Sequence, residues 1–466
     1  MRRVPLLLAG GEWSARLPVE LRRSLRRLVG EGVLANISDS IVNTYQAVYL
    51  LALGASRTEI GLVSSLSNIA MPLAMLPGGR LAARRHRYKW LVIIPSLLGR
   101  VLLLGLIVLP YCPWRPAFII YVGIGIAILR AFLLHLANPA WTAMLGQLVP
   151  VRWRGRYFSA RNIFMGGAAF LALLGVGRLI DQLGTPLGYQ LVFGIAVLAA
   201  LGASYLLSGV VEEPPAARPR QKEQLISLPQ RVWAEKTFLS TSGVAFLWGF
   251  AVSIATPFFI VYLVDEVQAS ASLVALSSAT ATLASLPAQR IFGRLIDRKG
   301  NGWVKRLTGL IIPVVPGLWG FIQQPWQAFP LQLVSGFIWA GYNLASFNRL
   351  LEVTPAEDRP IFVAIRQSLV GVGMAVGAAL GGWLAETQGY RIVFLFSAGG
   401  RLLAAIIFAL SMIPVQTWRR LWQGFSRWIA EGYRKLSSVV SAALHWCGQG
   451  LIGLWYKLKQ KRGRDG

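Results

Sequence analysis

The sequence predicts an all-α membrane protein with twelve transmembrane helices in two pseudosymmetric six-helix bundles, flanked by amphipathic N- and C-terminal segments. Three observations predict this fold. The 466-residue chain is 55% hydrophobic and only 14% charged, with a mean hydropathy of +0.54. Apolar runs of about 20 residues, the length that a helix needs to cross the hydrocarbon layer, recur along the whole chain. Finally, one basic loop pattern occurs twice, at matching places in the two halves.

The charge distribution favours a membrane protein over a nucleic-acid-binding protein. The chain has 47 Lys and Arg against 19 Asp and Glu, a net charge of +28. A nucleic-acid-binding protein gathers such charge into one basic patch. Here the cations collect in alternate loops and in both terminal segments, which is the positive-inside bias of membrane proteins. We therefore expect no nucleic-acid partner and a multi-pass protein of the cytoplasmic membrane, with both termini in the cytoplasm.

Five segments follow one another along the chain. They are a basic amphipathic N-terminal segment (1–30), a six-helix bundle (31–211), a cytoplasmic linker (212–236), a second six-helix bundle (237–415) and a basic aromatic tail (416–466). The pattern at residues 17–29 and in the tail is typical of helices that lie on the membrane surface. We expect anionic lipid headgroups to bind both terminal segments.

Twelve helices are predicted from the apolar runs. Those of the first bundle are predicted at 32–53, 59–81, 90–109, 117–148, 157–180 and 187–211. Those of the second bundle are predicted at 238–264, 271–295, 304–322, 329–351, 362–385 and 392–413. Each run is long enough to cross a membrane as a helix.

The two bundles are related by an internal repeat. Gly79 recurs as Gly293, an offset of 293 − 79 = 214, and Arg161 recurs as Arg366, an offset of 366 − 161 = 205. Each pair falls on the same predicted side of the membrane. A parallel repeat of six helices is the plan of two-bundle secondary transporters.

The repeated loop carries a known pattern, G-x-L-x-D-R-x-G, between the second and third helix of each half. The second copy fits it with Gly293, Leu295, Asp297, Arg298 and Gly300, and the first copy keeps Gly79, Leu81 and Arg84. Ala83 stands where the first copy should have its acid. On these residues the chain resembles the major facilitator superfamily of secondary transporters, over roughly 32–415.

The resemblance implies alternating access of two bundles around a site at the membrane midplane. It also implies that the acid of the loop acts as a latch, because a carboxylate is stabilised at a helix N-terminus. Asp297 is then expected to reach the start of helix 5, at 156–159, or Arg349 at the end of helix 10. We interpret Arg161 and Arg366 as residues of the cytoplasmic gate or as partners of this motif, in preference to substrate ligands.

Asp39 in helix 1 is the candidate for proton coupling. Ionisable groups inside spans are costly and usually face a cavity or a partner. With Asn36, Asn43 and Gln46, Asp39 forms a polar stripe at i, i+3, i+7 and i+10, which we expect to face the substrate cavity. The alternative is a structural acid paired with Arg130 or Arg161, and the sequence leaves both open.

Other polar and aromatic residues inside spans are further candidates for the substrate cavity. They are Arg130, Asn138 and Trp141 in helix 4, Trp248 in helix 7, and Gln332, Trp339 and Asn343 in helix 10. Their alternative roles are hydrogen bonds between helices and, for Trp, anchoring at the membrane surface. Glycines of helix 11, from Gly371 to Gly382, predict close packing of that helix on its neighbours.

The sequence favours a transporter over an enzyme. It contains no P-loop, no H-E-x-x-H and no G-x-S-x-G. We expect no cofactor and no metal. The predicted function is secondary transport of a small molecule by alternating access, as proton-coupled export of an amphipathic compound by a monomer. The alternatives are uptake of a sugar or organic anion, and a non-transporting membrane sensor or partner subunit.

Overall fold

The structure is a computed structural model, and it is helical throughout the part of the chain that it describes. The described residues are 17–84, 88–149, 154–212, 235–353, 359–411, Glu431 and Arg434. The chain divides into a unit Met1–Phe408 and a unit Ala409–Gly466. The predicted tail, apart from its two described residues, lies outside the described residues, as do most of the linker and residues 1–16.

Six helices form the first half. They are α1 (Val19–Ala52), α2 (Arg57–Arg84), α3 (Lys89–Val101, continued by Leu103–Val108), α4 (Pro116–Leu148), α5 (Arg154–Leu183) and α6 (Leu187–Ser208).

Six helices also form the second half. They are α7 (Lys236–Ala255, continued by Phe258–Asp265), α8 (Ala271–Lys299), α9 (Asn301–Ile311, continued by Val314–Trp319), α10 (Ala328–Val353), α11 (Arg359–Gln388) and α12 (Tyr390–Ser411). The breaks in α7 and α9 fall at Pro257 and Pro313, because proline lacks the N–H of a helical hydrogen bond. Among the described residues, the number and order of helices agree with the prediction.

Nine of the described helices are long and apolar enough to cross a membrane. The other three, α1, α9 and α10, fail this criterion for local reasons. Helix α1 contains Glu31 and Asp39, α9 is divided at Pro313, and α10 contains Gln332 and Asn343. All three pack against other helices of the bundle.

Helix α1 begins earlier than predicted. The sequence separates a surface helix at 17–29 from a span that begins at Gly32, whereas α1 is continuous from Val19. Leu25 and Leu28 are completely buried and join a hydrophobic cluster with Tyr157 of α5. The Tyr157 hydroxyl also donates to the Leu25 carbonyl at 3.0 Å. An amphipathic pattern fits a protein surface as well as a lipid surface, and here it packs on protein.

The two halves repeat one packing arrangement. In the first half, α1 packs on α5 and α6, and α2 on α4; in the second, α7 packs on α11, and α8 on α10. The halves meet where α2 packs on α11 and α5 on α8. Gly184 and Gly389, which follow α5 and α11, both have positive φ angles (68° and 80°). Their separation, 389 − 184 = 205, equals the offset found in the sequence.

The glycines of α11 allow close packing on two sides, as predicted. On one side, Gly373, Gly377 and Gly381 face the backbone carbonyls of Phe246, Phe250 and Ile254 in α7. On the other side, a Cβ added to Gly382 would lie 2.9 Å from the Cα of Gly61 in α2. Helix α11 therefore supports both the second half and its contact with the first half.

We expect Gly377→Ala to destabilise the second half. The new methyl group would overlap the Phe250 carbonyl, and overpacking of this kind costs about 1–3 kcal/mol. Thermal unfolding in detergent measures the effect. Gly399→Ala in α12 is the matched control, because its Cβ would meet nothing within 4 Å. Equal melting temperatures for the two variants would contradict the packing described here.

Candidate functional site

The bundle has two chemically different ends. The basic end contains the ends of α2, α4, α8 and α10, with Arg80, Arg298, Lys299 and Arg306 among its cations. The opposite end contains the ends of α1, α7 and α11 and the starts of α2, α8 and α12.

A cavity of about 250 Å³ lies in the first half, between α1, α3, α4, α5 and α6. Its polar lining residues are Glu31, Asn36, Asp39, Ser96, Arg100, Asn138, Trp141, Arg161 and Ser204. Four of the predicted substrate and coupling residues therefore come together here, namely Asn36, Asp39, Asn138 and Trp141. The Asn36 amide donates to the Met165 carbonyl of α5 at 2.9 Å, which fixes its side chain in the wall.

Asp39 binds two arginines, one through each carboxylate oxygen. Its Oδ2 lies 3.2 Å from Arg100 Nη2, and its Oδ1 lies 2.9 Å from Arg130 Nη2. The arginine side chains are 9% and 8% exposed, while that of Asp39 is 35% exposed. The carboxylate is thus held by two buried cations and remains open to the cavity. Of the two partners that the sequence suggested for Asp39, Arg130 forms the ion pair and Arg161 does not.

Arg161 instead pairs with Glu31. Their side chains are 5% and 7% exposed, and Arg161 Nη2 lies 3.2 Å from Glu31 Oε2. Arg161 also donates to the Leu28 carbonyl at 3.3 Å and lies 5.2 Å from the ring of Trp141. Sequence reasoning missed Glu31 because it placed the start of helix 1 at Gly32. If helix 1 had been predicted to begin at Val19, Glu31 would have been recognised as an acid inside a span.

Positive charge exceeds negative charge around this cavity. Two carboxylates, Glu31 and Asp39, face three guanidinium groups, Arg100, Arg130 and Arg161. Removing either acid would leave a buried guanidinium without its counter-ion, which is strongly unfavourable. The carboxylate of Asp39 therefore joins α1 to both α3 and α4, which contribute its two arginines.

Two predicted cavity residues meet in an aromatic cluster of the second half. Trp248 stacks on Tyr342 with ring centroids 4.5 Å apart, and Trp339 lies 5.6 Å from the same ring. This aromatic cluster, Trp248, Trp339 and Tyr342, joins α7 to α10.

The remaining predicted cavity residues do not line the cavity of the first half. Asn43 and Asn343 are exposed, and Gln332 is partly exposed. Gln46 is partly buried, and its Nε2 has no hydrogen-bond partner in the described part of the chain. The helical stripe of α1 therefore divides, with Asn36 and Asp39 in the cavity and the other two residues outside its lining.

Within the described residues, the acid of the predicted latch has no partner. Asp297 is exposed, and among the described residues it makes no ion pair or hydrogen bond. Arg349, one of its expected partners, lies 2.9 Å from Glu352 instead. Gly79 and Gly293 border open space, Gly300 ends α8 with a φ of 83°, and the side chain of Arg84 is not described.

At the opposite end, ion pairs and hydrogen bonds join the two halves. Arg57 of α2 lies 2.9 Å from Asp265 of α7 and 4.3 Å from the ring of Tyr390. The Tyr390 hydroxyl donates to the same carboxylate at 2.8 Å. We call Arg57, Asp265 and Tyr390 the outer lock. Sequence reasoning missed it because its members are far apart along the chain.

Asp181 makes a second connection between the halves. Its carboxylate, at the end of α5, accepts from the backbone N–H groups of Ala271 and Ser272 at 2.7 and 3.0 Å. A carboxylate at the start of α8 satisfies N–H groups that have no partner within the helix. The two halves are therefore joined at the opposite end by contacts of both Arg57 and Asp181.

Comparison with known proteins identifies the family. A family model described as Major Facilitator Superfamily matches residues 32–258 and 241–448. The chain belongs to this superfamily. The resemblance of the repeated loop is confirmed, and the twelve-helix, two-bundle fold is that of the family.

Curated relatives of this superfamily chain are multidrug resistance proteins. It is 29% identical over 171 residues to the multidrug resistance protein MdtG of Dickeya zeae, covering 36% of this chain and 41% of that protein. The chain thus spans less than half the length of the first relatives that it matches. A longer match, to MdtG of Citrobacter koseri, is 26% identical over 410 residues and covers 84% of this chain and 95% of that protein.

Solved transporters share the fold. A bacterial homologue of the iron transporter ferroportin in an inward-facing state matches with a TM-score of 0.65 and 15% identity, covering 84% of this chain and 99% of that one. The nucleoside transporter NupG matches with a TM-score of 0.62 and 14% identity, covering 83% of this chain and 100% of that one. The chain is therefore a multi-pass membrane protein with the fold of a secondary transporter.

Proposed function

We propose that this chain is a secondary transporter that exports an amphipathic small molecule while protons enter the cell. The observation that carries the proposal is Asp39, a carboxylate open to a cavity and bound by two buried arginines. An acid in this position can exchange a proton with the cavity, which an acid facing lipid could not do. The multidrug resistance names of the relatives support an amphipathic substrate.

Proton binding is coupled to helix position through Arg100 and Arg130. A protonated Asp39 no longer carries the charge that holds these two cations, so the neutral acid favours an arrangement in which α3 and α4 have moved. Loss of the proton restores both ion pairs. This gives each protonation state a different preferred arrangement, which is what coupling requires.

The outer lock supplies the other half of the cycle. Substrate enters from the basic end while Arg57 holds the opposite end together through Asp265. Release requires that this lock opens and that the latch at Asp297 closes. Because cations mark the cytoplasmic side of a membrane protein, we place the basic end in the cytoplasm. Anionic lipids there would bind the terminal segments.

The test uses the full-length protein reconstituted in liposomes. A panel of amphipathic fluorescent probes with cationic, neutral and anionic groups is followed under an imposed pH gradient. We expect at least one probe to move against its own gradient when protons move the other way, and to stop when an ionophore removes the pH gradient. Movement of no probe under any gradient would favour a non-transporting sensor. Movement in the same direction as protons would favour uptake.

A further inference from the structure

Two buried basic side chains in the second half have no carboxylate partner among the described residues. Lys305 of α9 is 2% exposed and Arg366 of α11 is 9% exposed. The described acids of this half lie at helix ends or in loops, and none forms an ion pair with either cation. They are Glu235, Asp265, Glu266, Asp297, Glu352 and Glu386. Because a buried charge without a partner is costly, this pair of cations needs an explanation.

The repeat shows which acid is missing. Arg366 is the repeat mate of Arg161, and Arg161 is neutralised by Glu31. The position that repeats Glu31 is Ala245, since 245 − 31 = 214, the offset of this part of the chain. The second half therefore keeps the arginine of this pair and replaces its counter-ion by a methyl group.

Helix packing supports this correspondence. A Cβ added to Gly249 of α7 would lie 3.1 Å from Val370 of α11. These two helices are parallel, and Ala245 and Arg366 each lie four residues earlier, one turn nearer the basic end. Ala245 is thus placed within about two helical turns of Arg366 on the neighbouring helix, and it is buried with 7% exposure.

Two buried donors of the second half, Arg366 Nη1 and Trp248 Nε1, have no hydrogen-bond partner among the described residues. Trp248 stacks on Tyr342 at 4.5 Å, and Lys305 Nζ lies 5.7 Å from the same ring and 4.2 Å from that of Phe408. Such a set of donors is completed by a group that is anionic and only accepts hydrogen bonds.

We infer that the second half contains a binding site for the acidic group of an aromatic amphipathic ligand. Arg366 and Lys305 bind a carboxylate, sulfonate or phosphate, and Trp248 and Tyr342 contact the aromatic part. The inference rests on the proposed export function and adds a substrate class to it. An anionic lipid headgroup has the same chemistry as the acidic group, and the experiment separates these two sources.

The test measures binding of two naphthalene probes to the full-length protein in phosphatidylcholine nanodiscs. Naphthalene-2-sulfonate carries the acidic group, and naphthalene-2-carboxamide has the same ring without charge. We expect the sulfonate to bind at least about tenfold more tightly, because hydrogen bonds to a charged group are the strong ones. Isothermal titration calorimetry gives both dissociation constants.

Variants at Ala245 provide the decisive comparison. Ala245→Glu supplies the missing acid, so we expect sulfonate binding to fall to the level of the carboxamide. Ala245→Gln has nearly the same size without the charge, and we expect it to keep the preference for the sulfonate. Arg366→Gln, in which Ala245 is unchanged, is expected to lose the preference for the sulfonate, as Ala245→Glu does. Equal affinities of the wild type for both probes, or identical behaviour of the two Ala245 variants, would overturn the inference.

Repeating the titration in nanodiscs that contain phosphatidylglycerol identifies the source of the anion. Unchanged sulfonate affinity supports a soluble substrate, whereas a loss that grows with phosphatidylglycerol content assigns the site to a lipid headgroup and overturns the substrate class. The titration needs no gradient, so it is independent of the transport assay. Selective binding without transport would contradict only the export function. Transport with unselective binding would contradict only this site.

Discussion

Asp39→Asn is expected to abolish export driven by a pH gradient while leaving substrate binding intact. The amide has nearly the shape of the carboxylate but takes up no proton in the working pH range, so protonation no longer changes the attraction for Arg100 and Arg130. The measurement compares pH-driven export with exchange of labelled for unlabelled substrate at equal concentrations. We expect the variant to exchange substrate and to fail in export, because exchange does not require net proton movement.

Glu31→Gln is the matched control for this variant. It changes the other acid of the cavity, whose 7% exposed side chain is closed off by Arg161. Both variants leave a buried guanidinium without its ion pair, so both are expected to lose stability, by as much as about 3–5 kcal/mol for the fully buried pair. Only Asp39→Asn is expected to exchange labelled for unlabelled substrate while failing in pH-driven export. Normal pH-driven export by Asp39→Asn would exclude Asp39 as the proton site.

Arg57→Ala is expected to open the outer lock and shift the protein away from the state described here. The substitution removes the ion pair with Asp265, the contact with the ring of Tyr390 and a hydrogen bond to the Ala385 carbonyl. These groups are partly exposed, so the individual contacts are weak, but together they join two moving halves. A coupling of about 1–3 kcal/mol changes the ratio of two conformations about five- to 150-fold.

The rate of thiol labelling at the opposite end measures this shift. Thr58→Cys, in a background in which Cys112 and Cys447 are serine, places a reporter beside Glu386, next to the lock. A membrane-impermeant maleimide should label it faster in Arg57→Ala than in the parent. Arg115→Ala is the control, because Arg115 is exposed in the loop before α4 and takes no part in the lock. The exchange of charges in Arg57→Asp with Asp265→Arg should restore slow labelling. Equal rates in all variants would mean that these contacts do not hold the halves together.

The fold could be predicted from the sequence because its signals are local. Apolar runs give the helices, and the repeated loop gives the relation between halves. Helix starts are harder to predict, because the basic first turns of α1 pack on α5 through Leu25 and Leu28 and not on lipid. An amphipathic pattern shows that the apolar face of a helix is buried, but it does not show whether protein or lipid buries it.

The site could be predicted only as far as periodicity allows. Spacing along α1 and α4 places Asn36 and Asp39 on one face and Asn138 and Trp141 on another, and the cavity brings both faces together. The pairing of Asp39 with Arg100 depends on how α3 is rotated against α1, which no local pattern determines. The outer lock depends on contacts across more than two hundred residues of sequence, so only the structure reveals it.

Substrate and protons are proposed to move in opposite directions through the same cycle. The most direct test records internal pH in liposomes that contain the full-length protein and start with equal pH on both sides. A substrate gradient is then the only driving force. We predict that substrate leaving by its own gradient draws protons in the opposite direction, and that Asp39→Asn moves none. Substrate movement by the wild type without any change in pH would contradict the proposed exchange.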